Sequence, residues 1–178
     1  MSRLATQDAN ATVRSADLFA VIKAKMGKVP NAYATIGSNS PVALAALLEF
    51  DAALAKTSLG RKEIEVVKLA ASEVNGCDYC LAAHTLAGKL AGLVPEAILA
   101  ARRGTPSADA RLDALSTFVR SVVGSRGTVA QHVVDAVKGA GFTDAQVVDT
   151  LFAISSITFT NLLNRVNDTA LDFPAAPQ

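Results

Sequence analysis

The chain has 178 residues, 51% of them apolar, and a formal net charge of +1. That is long enough for one domain with a sizeable core, and too apolar for disorder. The small charge and the lack of a basic run interleaved with aromatics argue against a nucleic-acid-binding surface, and no stretch reaches the roughly 18 consecutive apolar residues of a membrane span.

The first residues, MSRLATQDANATVRSAD, carry no apolar core of a secretory signal. Segment 1–14 is expected to be loose and the protein cytoplasmic. Ser15–Met26 is amphipathic and stops at Gly27. Pro30–Ile36 is a short helix. Ser40 and Pro41 offer an N-cap and a proline at the first helical position, opening a helix to about Lys56. The next helix runs from Arg61 to Val74 and ends at Asn75-Gly76.

Asp78–Ala91 follows, then Pro95–Arg103. Ser107 is the expected cap of a long helix reaching Val123. Val129–Gly139 is shorter. Thr143 and Gln146 make a capping box for a last helix to Val166, whose uncharged run Thr150–Asn164 reads as buried. Strand signals are absent. The expectation is one all-α domain spanning 1–178, of about seven to nine helices, with a reactive core at about 40–125. A faint likeness between SLGRKEIEVVKLAASEVNG and GFTDAQVVDTLFAISSITF carries little weight.

Chemistry concentrates in NGCDYCLAAH, residues 75–84, which holds both cysteines and one of two histidines. At about 100° per residue, Cys77, Cys80 and His84 fall within roughly 60° on one helix face. The pair sits at a helix start, where unpaired N–H groups favour a thiolate. An i, i+3 pair there has Cα atoms about 5 Å apart, close enough for a disulfide. His84 is the natural base for Cys80, one turn away.

A histidine base needs an orienting partner, and Glu65 among apolar neighbours supplies one if the two helices pack antiparallel. The same four residues, Glu65, Cys77, Cys80 and His84, could offer ligands to zinc. Structural zinc sites, however, bring a second Cys or His pair that this chain lacks, so no metal and no bound cofactor are expected. A lyase using Glu65 and His84 is a further alternative. His132 reads as a half-exposed structural residue, Arg102-Arg103 as cations at a helix C-terminus, and the lysines 23, 25 and 28 as a solvated face. Asn161 and Asn164 read as capping neighbouring backbone, with lining the site as the alternative.

The segment EVVKLAASEVNGCDYCLAAHTLAGKLAG, Glu65 to Gly92, resembles the alkyl hydroperoxidase D (AhpD)-like proteins of the carboxymuconolactone decarboxylase superfamily. The family pattern is Glu, eleven residues, CxxC, three residues, His, and the chain keeps that spacing. LGRKEIE and NLLNRVNDTALDFP also resemble peroxidase-related members, so the likeness extends over most of residues 40–174.

The resemblance implies an all-α fold assembling into trimers or hexamers, and an antioxidant thiol peroxidase with a redox-active Cys77–Cys80 disulfide. It implies Cys80 as the thiol attacking peroxide, assisted by His84 and Glu65, with Cys77 resolving the sulfenic acid. The helix N-terminus leaves Cys77 open as the attacker. An external lipoyl or thioredoxin-like dithiol would be the reductant. General disulfide exchange, redox sensing and lactone decarboxylation are the alternatives. One position departs from the prototype, which has histidine before the second cysteine. Here Tyr79 stands there as a possible site-lining residue, and tyrosine, with a reference pKa near 10, carries protons poorly at neutral pH.

Overall fold

The computed structural model describes residues 2–6 and 13–177, the side chain of Val13 excepted. The described residues contain nine helices and no strand: α1 (Val13–Met26), α2 (Asn31–Asn39), α3 (Pro41–Leu54), α4 (Arg61–Val74), α5 (Asp78–Leu90), α6 (Pro95–Arg103), α7 (Ala110–Gly124), α8 (Gln131–Gly139) and α9 (Asp144–Asn167). The all-α expectation therefore holds.

Local sequence sets the helix ends. Ser40 Oγ accepts the Ala43 N–H at 3.2 Å, with Pro41 at the first helical position. Thr143 and Gln146 form a reciprocal capping box. One expected cap is corrected: Asp109, not Ser107, caps α7 by accepting the Arg111 and Leu112 N–H groups. Ser107 lies too far upstream and instead binds the Asp113 carboxylate through its N–H and hydroxyl.

Helix α4 is the centre of the domain and packs against α5, α6, α7 and α9. Its polar first turn gives way to Val66, Val67, Leu69, Ala70 and Ala71, all buried to 1% exposure or less. Burying each of the larger three contributes about 1.5–3 kcal/mol. A smaller cluster joins α1, α2 and α3 through Phe19, Ile22, Ile36, Leu44 and Leu47. Those helices cross closely at Gly37, where a Cβ would stand 2.5 Å from the Phe19 ring.

Helix α9 is only half what its uncharged run predicts. It is the one described helix long and apolar enough to cross a membrane, yet it packs against α3 and α4, and against α5. Its inward face carries Asn161, Asn164 and Asn167, all buried, while Val148, Leu151, Phe159, Leu162 and Val166 stay exposed. The earlier turns of the helix put Ala153, Ile154 and Ile157 into the core, and the later turns put the asparagines inward.

The N-terminal segment is tied down where it is described. Arg3 N–H donates to Asn167 O at 2.9 Å, Leu4 N–H donates to Asn167 Oδ1 at 2.7 Å, and Ala5 O accepts from Asn39. The partners lie on α9 and α2, far away in sequence, so local composition gave no sign of them. Residues 7–12 of the expected loose segment lie outside the described residues.

Candidate active site

The turn between α4 and α5 positions the cysteines. Gly76 takes φ +63°, a left-handed conformation that suits glycine. Its N–H donates to Glu73 O and the Cys77 N–H donates to Ser72 O at 3.0 Å, the paired bonds of a Schellman ending. The chain leaves that turn with Cys77 as the N-cap of α5, its sulfur accepting the Cys80 N–H at 3.4 Å. Both cysteines are free thiols, 1% and 3% exposed.

The antiparallel packing of α4 and α5 brings His84 Nδ1 to 2.8 Å from Glu65 Oε2. Burial pushes the Glu65 carboxyl up, but the His84 charge and hydrogen bond, aided by Lys68 and Arg61, leave it below the usual carboxylate range. Glu65 is thus the acceptor and Nδ1–H the donor, which leaves Nε2 of a neutral His84 free to take a proton. His84 lines the same cavity as Cys80. Glu65 lines a different one with Asp51, Arg61 and Lys68, so the pair bridges two cavities.

Two asparagines complete the sulfur environment. Asn164 Nδ2 donates to Cys80 Sγ at 3.3 Å. Asn161 Nδ2 donates to Ser72 Oγ at 3.0 Å, while its Oδ1 accepts from Asn75 Nδ2 at 2.9 Å. Thr160 Oγ1 lies 3.9 Å from the Cys80 sulfur. Of the two readings of these asparagines, Asn164 takes the site-lining one, since it touches the Cys80 sulfur, while Asn161 bonds Ser72 and Asn75. Their spacing along α9 is that of any buried helix face, and only the tertiary fold shows what they meet.

These groups separate the two thiols. A hydrogen bond from Cys77 holds Cys80 at a pKa of about 6, against burial that pushes it up, with His84, Asn164 and Asn161 adding to the lowering. The same bond, together with burial, pushes Cys77 up. The helix N-terminus alone would favour Cys77, which accepts the Cys80 N–H. The donors gathered around Cys80 outweigh that single backbone contact.

Cys80 and His84 open on a cavity of about 190 Å³ whose wall is mostly apolar, including Met26, Tyr33, Leu86, Leu90 and Phe173. No lysine or arginine lines it. Cys77 instead lines a polar cavity of about 330 Å³ with Asp78, Arg165 and Asp168. Asn164 lies on both.

Tyr79 lines the apolar cavity as expected. Its hydroxyl donates to Asp172 Oδ1 at 2.7 Å and accepts the Ala32 N–H at 3.2 Å. Burial pushes its pKa up despite the Ala32 bond, so it is a fixed wall residue rather than a proton carrier. Asp172 also pairs with Lys28 at 2.9 Å, and the Lys28 ammonium stands 4.4 Å from the centre of the Phe173 ring. Lys28 stays on an exposed face with Lys23 and Lys25, and it also anchors the C-terminal segment. Phe173, Tyr33 and Met26 went unmarked in the sequence because nothing local places them at a cavity.

Among the other singled-out residues, His132 is exposed on α8. Arg102 and Arg103 stand in the last turn of α6 as expected, and Arg102 is buried and pairs with Glu73 at 2.7 Å. Among the described residues no group of three His, Cys, Asp or Glu side chains is placed to hold a metal ion.

Helices around a CxxC pair with a Glu–His couple behind it define the AhpD-like class of fold. The carboxymuconolactone decarboxylase family profile matches residues 41–114. The structure resembles the AhpD core of a peroxidase-related protein from Ralstonia eutropha JMP134, with a TM-score of 0.83 and 22% identity over 96% of this chain and 92% of that one. A peroxidase-related protein from Silicibacter sp. TM1040 gives 0.81 and 21%, over 94% and 89%. The debrominase Bmp8, in complex with 2,3,4-tribromopyrrole, gives 0.80 and 16%, over 97% and 94%. No curated protein matches the chain. The fold is that of the AhpD-like structures, and residues 41–114 are similar to the carboxymuconolactone decarboxylase family.

Proposed function

We propose that the protein is a thiol-dependent peroxidase that cycles Cys77 and Cys80 between dithiol and disulfide. The carrying observation is the asymmetry of the pair: Cys80, held at about pKa 6, faces a cavity with His84, while Cys77 stays protonated beside it. His84 takes the Cys80 proton through Nε2, and Glu65 holds the ring and the charge it gains. The thiolate attacks peroxide and becomes a sulfenic acid, and the Cys77 thiol displaces water from it to close the disulfide.

A dithiol of the lipoyl or thioredoxin type restores the pair. Attack at Cys77 expels Cys80, the better leaving group of the two, and Cys77 lines the polar cavity rather than the substrate side. A reducing compartment such as the cytoplasm suits this cycle. The exposed apolar stripe of α9 is the surface on which copies of the chain associate.

Decarboxylation of a lactone acid draws less support, because no lysine or arginine lines the cavity beside Cys80 and those near Glu65 line a separate one. A second reading, reductive removal of halogen from an aromatic ring, draws on the same apolar wall and on the Bmp8 likeness. It would consume the two thiols and release halide and a proton. One experiment tests both. The reduced protein is given one equivalent of an organic hydroperoxide or of a brominated pyrrole, then thiols and bromide are counted. Loss of both thiols with hydroperoxide supports the peroxidase. Thiol loss only with the halide, with bromide release, supports the second reading and rejects the first.

A further inference from the structure

Asn164 has more capacity than the proposed cycle uses. It is 4% exposed, and Oδ1 is one of two buried side-chain oxygens or nitrogens among the described residues with no hydrogen-bond partner. The other, Thr85 Oγ1, belongs to a side chain that does not line the cavity beside Cys80. Leaving a buried acceptor unmade costs about 1–3 kcal/mol, so such a group calls for an explanation.

The orientation of the amide follows from the chemistry of its neighbour. A thiolate accepts and does not donate, so the amide presents its NH₂ to Cys80. The carbonyl oxygen is thereby turned away from the sulfur while belonging to a side chain in the cavity wall. An acceptor there, bonded through one amide group to the donor that grips the nucleophile, matches a substrate whose reacting oxygen carries a proton. A hydroperoxide has that proton on its terminal oxygen.

We infer that Asn164 is a substrate-contacting residue: Nδ2 holds the Cys80 sulfur while Oδ1 accepts the terminal O–H of an incoming hydroperoxide. This rests on the peroxidase reading and specifies how that site recognises its substrate. The Cys80 thiolate attacks the terminal oxygen. An S–O bond forms and the O–O bond breaks, oxidising the sulfur and reducing the peroxide. The terminal proton stays on the oxygen that becomes Cys80 sulfenic acid, still held by Oδ1. The alkoxide leaves with the electron pair and takes the proton that His84 removed from the Cys80 thiol.

The test separates recognition from thiolate formation. Asn164→Leu fills the space with neither donor nor acceptor; Asn164→Asp keeps an acceptor of the same size. Three rates are measured at about pH 9, where the Cys80 thiolate is saturated: oxidation by cumene hydroperoxide, alkylation by iodoacetamide, and reduction of the disulfide by dithiothreitol. Asn164→Leu should oxidise at least about tenfold more slowly than wild type, from the acceptor left unmade. Its oxidation rate divided by its alkylation rate should fall at least about fivefold below the wild-type ratio, because losing the Nδ2 donor changes both reactions while losing the acceptor slows only oxidation. Asn164→Asp loses the Nδ2 donor and sets a carboxylate beside the thiolate, so both reactions slow, but its oxidation-to-alkylation ratio should stay within about threefold of wild type because an acceptor is retained.

Unchanged oxidation in Asn164→Leu overturns the inference and leaves the peroxidase reading standing. So does a parallel fall in oxidation and alkylation, or a loss confined to reduction. If Asn164→Leu does not fold, a fall of more than about tenfold in the oxidation-to-alkylation ratio of Asn164→Asp overturns it, since the acceptor survives there. A wild type inert to hydroperoxide overturns both claims together.

Discussion

His84 Nδ1 and Glu65 Oε2 lie 2.8 Å apart across the α4–α5 pair, both side chains largely buried. The contact fixes Nδ1 as the histidine nitrogen that faces the carboxylate. It also ties the reactive helix α5 to α4, the helix at the centre of the domain. Glu65→Gln keeps a hydrogen bond but removes the charge. Hydroperoxide turnover is expected to fall about 10–100-fold, in line with losses seen when a histidine's orienting partner is removed. Far-UV circular dichroism should stay unchanged. Turnover at the wild-type rate would show that His84 does not depend on Glu65.

The pH dependence of Cys80 follows from its position. Alkylation of the reduced protein should rise with pH through a midpoint of about 6. In His84→Ala the midpoint moves upward, because a neighbour that favours the thiolate is gone.

Stability carries the same asymmetry with a definite sign. The folded pKa of Cys80 lies below the value of about 8.5 for an unfolded cysteine. Its contribution is present above that unfolded value and is lost as pH falls through about 6. Cys77 is raised, so its contribution is present below the unfolded value and is lost as pH rises toward its folded pKa. The reduced protein should therefore melt highest near the unfolded cysteine value and lower on either side. The disulfide form has no such thiol-linked maximum, so its melting temperature over the same pH range is the control.

Tyr79 and Asp172 join α5 to the C-terminal segment at 2.7 Å. Tyr79→Phe leaves the Ala32 N–H without its phenolic partner and takes the donor from Asp172, costing about 1–3 kcal/mol of stability. The Cys80 alkylation plateau should be unaffected, because the phenol carries no proton to or from the sulfur. A plateau lowered tenfold or more would instead make Tyr79 part of the proton path.

The exposed residues Leu162 and Val166 sit on one stripe of α9. Leu162→Glu places a charge in the surface proposed to join copies of the chain. Sedimentation should show an oligomer for wild type and a smaller species for the variant. Identical sedimentation of the two would remove α9 from the interface.

Much of this was legible in the sequence. Period, caps and breakers marked every helix, and the Arg61–Val74 and Pro95–Arg103 boundaries match the structure. The Glu65–His84 pairing was legible because a very short turn forces adjacent helices antiparallel. Asn164 was not, since it reaches Cys80 from 84 residues away. The Tyr79–Asp172–Lys28 contacts were hidden for the same reason. Buried asparagines and an exposed apolar stripe share the same helical period on α9, and only packing shows which face turns inward.

The central claim is that Cys80 is the sulfur that meets peroxide. Cys77→Ser removes the resolving thiol and should trap the intermediate. After one equivalent of organic hydroperoxide, a dimedone label followed by peptide mass spectrometry should place a sulfenic acid on Cys80, while Cys80→Ser gives no label at Cys77. A label on Cys77 in Cys80→Ser, with none on Cys80 in Cys77→Ser, would contradict the account.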